Sequence, residues 1–177
     1  MLDARERDLA DPSPADIAAL EDYADATSGS LVRLALAVLG ATDPWACQAA
    51  REVGVGYALA GLMRAMPYHA AAGRRYIPDD VCAAVGLDPA DYAASRPTAA
   101  LHAATAAIAA AARAHLAAAR RRATPRTARP ALLPAIVAER FLLRLARVDH
   151  NPFAAELRVP DAMQSWRLAA AMLTGRV

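Results

Sequence analysis

Apolar residues recur at intervals of three and four along most of this chain, and no segment alternates apolar and polar residues as a β-strand does. The clearest run lies between residues 17 and 38. Its apolar or small positions are Ile17, Leu20, Ala24, Thr27, Leu31, Leu34 and Val38. Residues three and four apart share one face of an α-helix. We therefore predict an all-α protein and expect this face to lie in its core.

Prolines and glycines divide the chain into about six or seven predicted helices. A residue that can cap a helix stands directly before proline at three predicted starts, which are Ser13-Pro14, Asp43-Pro44 and Asp88-Pro89. Gly40 is expected to end the first long helix, and Gly29 in its middle predicts a closely packed neighbour. Residues 1–9 are expected to end an earlier helix, which Asp11-Pro12 closes.

The second half of the chain is also predicted to be helical. An alanine-rich helix is expected from about residue 97 to residue 122, and a proline-broken linker follows it. The next helix is amphipathic, and its predicted inward residues are Ile136, Phe141, Leu142, Leu145 and Val148. A final helix is expected to carry Trp166.

Composition limits the class of protein. With 177 residues and 56% hydrophobic content, the chain can form one globular domain over residues 1–177. All twenty basic residues are arginine and alanine dominates, which favours a GC-rich, bacterial source. The N-terminal residues are charged, and no window reaches the roughly 18 apolar residues of a membrane span. We expect a cytoplasmic protein, with peripheral contact at the inner membrane.

Neither the cysteines nor the histidines are spaced as metal ligands. Cys47 and Cys82 lie far apart without a CxxC pair, so we predict two reduced core thiols. His102 and His115 are predicted to be core or rim residues. Asp22 and Asp25 share a helical face and could hold Mg²⁺ with a phosphate, although a solvated polar face is the favoured interpretation.

Nine arginines lie between residues 113 and 147, against one acid, Glu139. The favoured interpretation is a solvated helix end, because arginines in a last turn offset the helix dipole. Contact with an anionic membrane or a partner is an alternative. No nucleic-acid partner is expected, because no aromatic residue is interleaved to stack on bases.

The stretch from Gly54 to Pro78, GVGYALAGLMRAMPYHAAAGRRYIP, is the predicted binding surface. It combines small packing residues, an arginine, polar aromatic residues and a helix that breaks at Pro67, a combination typical of pocket walls. Its glycines are not spaced as a phosphate loop and no strand precedes them, so we interpret them as helix contacts or cavity walls. The candidate ligand-binding residues are Tyr23, Gly54, Tyr57, Gly61, Arg64, Tyr68, His69, Arg74 and Tyr76. No catalytic residue is predicted, since the chain has no GxSxG, HExxH or Walker motif.

Two segments carry a resemblance to a known family. Residues 23–39, YADATSGSLVRLALAVL, and the exit Gly73–Pro78, GRRYIP, resemble the squalene/phytoene synthase family. The resemblance implies an isoprenoid-synthase-like helical bundle. It covers the later two-thirds of that fold, so we expect a chain without the fold's N-terminal helices, and an N-terminally truncated product is one interpretation.

The same resemblance implies that the metal site is lost. In the enzymes of the family, the arginine that Arg64 matches is followed by Asp-x-x-Glu-Asp, which holds Mg²⁺ on a prenyl diphosphate. Here the three acidic positions are Ala65, Tyr68 and His69. The family's first aspartate-rich motif lies upstream of the matched region. No cofactor is therefore expected.

Further segments resemble a non-enzymatic branch of the family that includes the mitochondrial complex I assembly factor. They are RERDL at 5–9, LEDYADAT at 20–27, RAMPYH at 64–69, RVDHNPF at 147–153 and QSWR at 164–167. This branch implies a pseudoenzyme that assists assembly of a respiratory membrane complex, with complex subunits or an isoprenoid or lipid ligand as partners. The alternative is a prenyl-diphosphate transferase in which Arg64, Arg74 and Arg75 bind diphosphate and Mg²⁺ is required.

Overall fold

The computed structural model describes residues 13–122 and 124–174, and every regular element in this part of the chain is helical. The helices are α1 (Ile17–Ala24), α2 (Ser30–Val38), α3 (Pro44–Arg64), α4 (Met66–Ala71), α5 (Asp79–Val85), α6 (Pro89–Ala93), α7 (Ala99–Arg120), α8 (Arg129–Leu132), α9 (Pro134–Arg147) and α10 (Gln164–Thr174). A π-helical turn (Asp25–Gly29) joins α1 to α2, and 3₁₀ turns occupy Arg126–Ala128 and Ala155–Arg158. The predicted helix at residues 1–9, its stop at Asp11-Pro12 and the RERDL segment lie outside the described residues.

Two of the three predicted helix starts, at Asp43-Pro44 and Asp88-Pro89, are capped by the aspartate side chain as predicted. The Asp43 carboxylate accepts from the Ala46 amide at 2.9 Å, and the Asp88 carboxylate accepts from the Ala90 amide at 2.8 Å. The predicted start at Ser13 is wrong, because α1 begins only at Ile17, with Asp16 as its cap.

The residues around Pro14 remain outside α1 because their carbonyls have other partners. The Asp79 amide donates to the Pro14 carbonyl at 2.9 Å, and the Asp80 amide donates to the Ala15 carbonyl at 3.1 Å. This segment is therefore bound to the first turn of α5, where amide groups lack partners within the helix. Tertiary hydrogen bonds decide this helix boundary.

The π-helical turn changes which residues of α2 face the core. Leu20, Ala24 and Thr27 are buried as predicted, but Leu31, Leu34 and Val38 are exposed to 48%, 59% and 81%. Val32 and Leu36 are buried in their place. In the turn, the Ser30 amide donates to the Asp25 carbonyl five residues back, which adds one residue and rotates the rest of the helix. The predicted inward face is wrong beyond this turn.

Helix α3 lies at the centre of the molecule and packs against α1, α2, α7 and α9. A Cβ atom on Gly54 would lie 2.4 Å from the Gly29 Cα, so the backbones of α3 and the π-helical turn touch. The neighbour predicted for Gly29 is thus Gly54. The buried residues of α3 include Val53, Val55, Leu59 and Met63, and those of α7 include Leu101, Thr105, Ile108, Ala112 and Leu116.

The C-terminal helices cover one side of this core. In α9, Phe141, Leu142 and Leu145 are buried as predicted, whereas Ile136 and Val148 are only partly buried. Helix α10 is largely exposed, and Trp166 is 72% exposed. Among the described residues, no helix is both long and apolar enough to cross a membrane. Both cysteines are free. Cys82 is buried as predicted, but Cys47 is only half-buried.

Candidate functional site

Three of the candidate aromatic residues form one cluster. The Tyr76 ring lies 4.7 Å from the His69 ring and 5.8 Å from the Tyr23 ring, measured between centroids. Tyr23 comes from α1, His69 from α4 and Tyr76 from the exit segment, and all three are half-buried. The cluster therefore joins the first described helix to the segment that follows the break at Pro67.

The other candidates in this stretch have different surroundings. Gly54 is a helix contact, whereas no atom lies within 4 Å of a Cβ built on Gly61. Tyr57 is partly buried against the core, and Tyr68 is 78% exposed. Arg74 is half-buried, and its amide donates to the His69 carbonyl at 2.8 Å. These candidates thus have different surroundings, and a ligand-binding role for them stays a prediction.

Asp25 is bound by two arginines from different helices. Its Oδ1 accepts from Arg33 at 2.5 Å, and its Oδ2 accepts from Arg51 Nε at 3.0 Å. The hydrogen bond to Asp25 raises the pKa of Arg51 above its usual value. The interpretation as a solvated face is therefore wrong for Asp25, while Asp22 is exposed. Among the described residues, no group of three or more His, Cys, Asp or Glu side chains is arranged so that it could hold a metal ion.

His115 lies between two carboxylates, an arrangement that the sequence did not reveal. Its Nδ1 is 2.6 Å from Glu52 Oε2 and its Nε2 is 3.2 Å from Glu21 Oε1. These three side chains come from α7, α3 and α1, and each is 15% to 29% exposed. The predicted rim position of His115 agrees with this placement. His102 lies 3.2 Å from the 90% exposed carboxylate of Asp149.

Arg64 does not join the aromatic cluster but lines a separate cleft of about 210 Å³, here called the arginine cleft. The cleft lies between the end of α3, helix α9 and residues 157–167. Its charged residues are Arg64, Arg140, Arg144, Arg158, Asp161 and Arg167, and its apolar ones are Ile136, Val137, Phe141, Leu157, Val159 and Pro160. Reasoning from the sequence missed this site, although Arg140 and Arg144 are one helical turn apart, a spacing that places them on one face.

Asp161 organises part of the arginine cleft. Both of its oxygens lie within 2.7 Å of Arg167 Nη1, and Oδ2 also accepts from Arg140 Nε at 3.1 Å. Desolvation raises the pKa of this carboxyl, but the hydrogen bonds from Arg167, the Met163 amide and Arg140 outweigh it, so that the pKa is lowered overall. Asp161 is thus an ionised anchor for two of the arginines.

Several arginines of the basic segment have local partners. Arg120 pairs with Glu139, Arg122 donates to Gln48 at 2.5 Å and lies 6.0 Å from the Trp45 ring centroid, and Arg129 donates to the Met172 carbonyl at 3.3 Å. Arg121 and Arg126 are exposed. Helix α7 ends at Arg120, as the interpretation of a helix end predicts, but Arg120, Arg122 and Arg129 contact other elements of the fold.

Comparisons with known proteins agree with the helical fold. A family model described as squalene/phytoene synthase matches residues 1–169. Among solved structures, squalene synthase HpnC from Alicyclobacillus acidocaldarius has a TM-score of 0.77 and 24% sequence identity, covering 85% of this chain and 58% of that chain. This likeness confirms the predicted isoprenoid-synthase-like fold.

Other proteins similar to this chain are named as assembly factors. NADH dehydrogenase (ubiquinone) complex I, assembly factor 6 from Mus musculus is 33% identical over 94% of this chain and 53% of its own length. The protein of the same name from Homo sapiens is 32% identical with the same coverage. The chain thus spans about half the length of the curated relatives it matches.

The family match extends over α1 to α9 and into α10, so it includes the aromatic cluster, the carboxylate–histidine contacts and all of the residues that line the arginine cleft. The resemblance seen in residues 23–39 and 73–78 is therefore part of a match along most of the sequence. The chain belongs to the squalene/phytoene synthase family.

Proposed function

We propose that this chain is a non-catalytic member of its family that assists the assembly of a respiratory membrane complex of the complex I type. Curated relatives about a third identical to it are named as complex I assembly factors. The expected partners are subunits of that complex, with an isoprenoid or lipid as a further candidate ligand.

The observation that carries this proposal is the aromatic cluster of Tyr23, His69 and Tyr76. His69 stands at a position where the resemblance places a metal-binding carboxylate, and its ring packs on Tyr76 at 4.7 Å. Mg²⁺ prefers oxygen ligands, and a diphosphate leaves readily only when its charge is neutralised. The imidazole of His69, the phenol of Tyr68 and the methyl group of Ala65 are poor substitutes for carboxylates as ligands of Mg²⁺. The cluster therefore supports a structural role for α4.

A turnover assay tests the catalytic part of the proposal. The protein is incubated with farnesyl or geranylgeranyl diphosphate and Mg²⁺, and release of pyrophosphate is measured, with the HpnC squalene synthase as the positive control. We expect no turnover. Turnover by the wild-type protein that disappears in Arg64→Ala would contradict the proposal.

A genetic experiment tests the assembly part. The gene is deleted in its own organism, and assembled NADH dehydrogenase is measured by activity staining of native gels. We expect less of the assembled complex, restored by the wild-type gene, while another respiratory complex in the same membranes remains unchanged. Normal assembly in the deletion strain would exclude the proposed role.

The second candidate function is prenyl-diphosphate transfer, which membership of the family favours. It requires Mg²⁺ and arginines that can reach a diphosphate. Arg75 already pairs with Asp79 at 2.5 Å and donates to Cys82 Sγ at 2.6 Å, whereas Arg64 makes no ion pair with a described residue. The turnover assay above separates this candidate from the assembly role.

A further inference from the structure

We propose that a second cleft, beside α6, binds a small organic molecule through a carbonyl or carboxylate oxygen. This cleft has a volume of about 290 Å³ and is here called the tyrosine cleft. It is lined by Ser13, by residues between 70 and 75 at the end of α4 and after it, and by residues between 89 and 93 of α6. The proposal does not depend on the assembly role, and the arginine cleft takes no part in it.

The hydroxyl of Tyr92 is the observation that points to a ligand. Tyr92 lines the tyrosine cleft and is only 3% exposed. Its hydroxyl has no hydrogen-bond partner among residues 13–122 and 124–174. A buried hydroxyl without a partner costs free energy, because it has lost its hydrogen bonds to water. A molecule in the cleft that offers an acceptor to this hydroxyl removes that cost.

Arg75 brings a second set of donors to the tyrosine cleft. Its Nη1 donates to Cys82 Sγ at 2.6 Å and its Nη2 donates to Asp79 Oδ1 at 2.5 Å, so the guanidinium is held in place. A guanidinium has five N–H groups, and these two contacts use only two of them. Burial raises the pKa of Tyr92 to about 12, and the positive charge of Arg75 opposes this rise, so the two side chains lie close together. One ligand can therefore meet both.

The two side chains define the chemistry of the ligand. Tyr92 keeps its proton at neutral pH, since its pKa is about 12, and Arg75 has no acceptor. The ligand must therefore supply the acceptor oxygen. Arg75 is already paired with Asp79, and Asp80 adds a second negative charge nearby. One paired guanidinium does not balance the two charges of a phosphate. The cleft thus suits a neutral carbonyl or a single carboxylate.

Size and apolar lining define the rest of the ligand. The side chains of Ala70, Pro89 and Ala93 form apolar parts of the wall. Drug-sized ligands occupy pockets of roughly 300–1,000 Å³, so the tyrosine cleft is at the small end of this range. A carbonyl or carboxylate group attached to a short apolar chain satisfies both parts of the lining.

The test measures binding of three probes of similar size, which are isobutyrate, isobutyramide and isobutylamine. Each is titrated into ¹⁵N-labelled protein at constant pH and ionic strength, and amide chemical shifts are followed by NMR. We expect saturable shifts at residues 70–75 and 89–93 with isobutyrate, isobutyramide or both. We expect none with isobutylamine, because a protonated amine has donors but no acceptor.

The first two probes distinguish the sources of the acceptor oxygen. Equal binding of isobutyramide and isobutyrate indicates a neutral carbonyl, whereas stronger binding of isobutyrate indicates a carboxylate. Absence of saturable shifts with both probes overturns the proposal, and so does equal binding of isobutylamine.

Tyr92→Phe is the variant that tests the contact itself, since it removes the hydroxyl and keeps the ring that lines the tyrosine cleft. We expect the probe to bind about fivefold to tenfold more weakly, because one hydrogen bond is lost. Tyr68→Phe is the control, because Tyr68 is 78% exposed and does not line this cleft, and it should bind as the wild type does. Equal affinity of Tyr92→Phe and the wild type overturns the assignment.

A measurement on the wild-type protein covers the case in which Tyr92→Phe does not fold. Intermolecular nuclear Overhauser effects are recorded between the methyl protons of the bound probe and those of the protein. We expect contacts with the methyl groups of Ala70 and Ala93 and with the ring of Tyr92. Contacts only with residues outside the tyrosine cleft count against it.

Discussion

The backbones of Gly29 and Gly54 lie so close that Gly54 does not accept a side chain, whereas a Cβ on Gly29 would meet the Asp25 carboxylate. A Cβ on Gly54 would be 2.4 Å from the Gly29 Cα and 2.7 Å from its amide nitrogen. Because both neighbours are main-chain atoms of helical segments, they cannot turn aside as a flexible side chain does. The sequence predicted a contact at Gly29, but the identity of its neighbour required the structure.

Gly54→Ala should therefore destabilise the protein by about 1–3 kcal/mol, the usual range for overpacking. Gly61→Ala is the matched control on the same helix, where a Cβ meets no atom within 4 Å. It should be neutral or stabilising by about 0.5–1 kcal/mol, because alanine favours the helix. Urea denaturation of both variants measures the difference. Equal free energies of unfolding for the two variants would show that α3 and the π-helical turn can move apart at little cost in free energy.

Tyr92 gives a prediction about alkaline pH. Burial raises the pKa of its hydroxyl to about 12 from the usual 10.0, and the hydroxyl has no hydrogen-bond partner among the described residues. The unfolded chain ionises first, so the stability held by the neutral hydroxyl is complete below pH 10 and is lost as the pH rises to about 12.

Tyr92→Phe should remove this loss and should be at least as stable as wild type at neutral pH, since no hydrogen bond is broken. Melting temperatures measured from neutral to alkaline pH test this, with the exposed Tyr68→Phe as the control that keeps the wild-type profile. The same alkaline loss in Tyr92→Phe would rule out this residue as its source.

At the scale of the helices, the π-helical turn decides which side of α2 is buried. The apolar spacing of three and four residues predicted that Leu31, Leu34 and Val38 face the core, whereas Val32 and Leu36 are the buried residues. One residue more per turn rotates the following helix by about 100°. The turn also carries Asp25, whose carboxylate binds Arg33 of α2 and Arg51 of α3. The local sequence does not encode this shift, because the bonds that hold the turn reach another helix.

Leu36→Ala and Leu34→Ala test the rotated face. Leu36 is fully buried, so Leu36→Ala should lower the free energy of unfolding by about 2–5 kcal/mol. Leu34 is 59% exposed, so Leu34→Ala should change the free energy of unfolding by less than about 1 kcal/mol. Chemical denaturation compares the two truncations on one helix. A larger decrease in the free energy of unfolding for Leu34→Ala than for Leu36→Ala would show that the face predicted from the sequence is the buried one, and would exclude the π-helical turn in solution.

At the scale of the whole molecule, α3 connects both halves of the chain, and a polar contact crosses its packing. His115 of α7 lies against Glu52 of α3 and Glu21 of α1. Half-buried carboxylates need partners, because their desolvation otherwise costs free energy. The imidazole of His115 thus links side chains of three helices.

His115→Ala should destabilise the protein by about 1–3 kcal/mol, because two carboxylates lose their common partner. His102→Ala is the control on the same helix, since its partner Asp149 is exposed, and it should cost less. Thermal unfolding at neutral pH measures both. Adding Glu21→Gln and Glu52→Gln to His115→Ala should recover part of the loss, and a further fall would show that the carboxylates stabilise the fold without the histidine.

Some apolar residues beside the core are exposed, although Gly29 and Gly54 are buried against each other. The exposed apolar residues of this region are Leu31, Leu34, Val38 and Leu39 on and after α2.

Local patterns in the sequence were enough to predict the all-α class, the capped starts at Asp43 and Asp88, the end of the first long helical run at Gly40, and the family. These properties depend on local periodicity, on capping chemistry and on motifs, which are all contained in short segments. It also identified Tyr23, His69, Arg64 and Tyr76 as candidates, but not which of them meet.

Tertiary structure alone decided the start of α1, the rotation of α2, the partners of His115 and the arginine cleft. In each case the deciding contact joins residues far apart in sequence: the Pro14 carbonyl with the Asp79 amide, Asp25 with Arg51, and Arg140 with Asp161. Such contacts depend on how the helices pack, and packing is set by the whole chain rather than by any single segment.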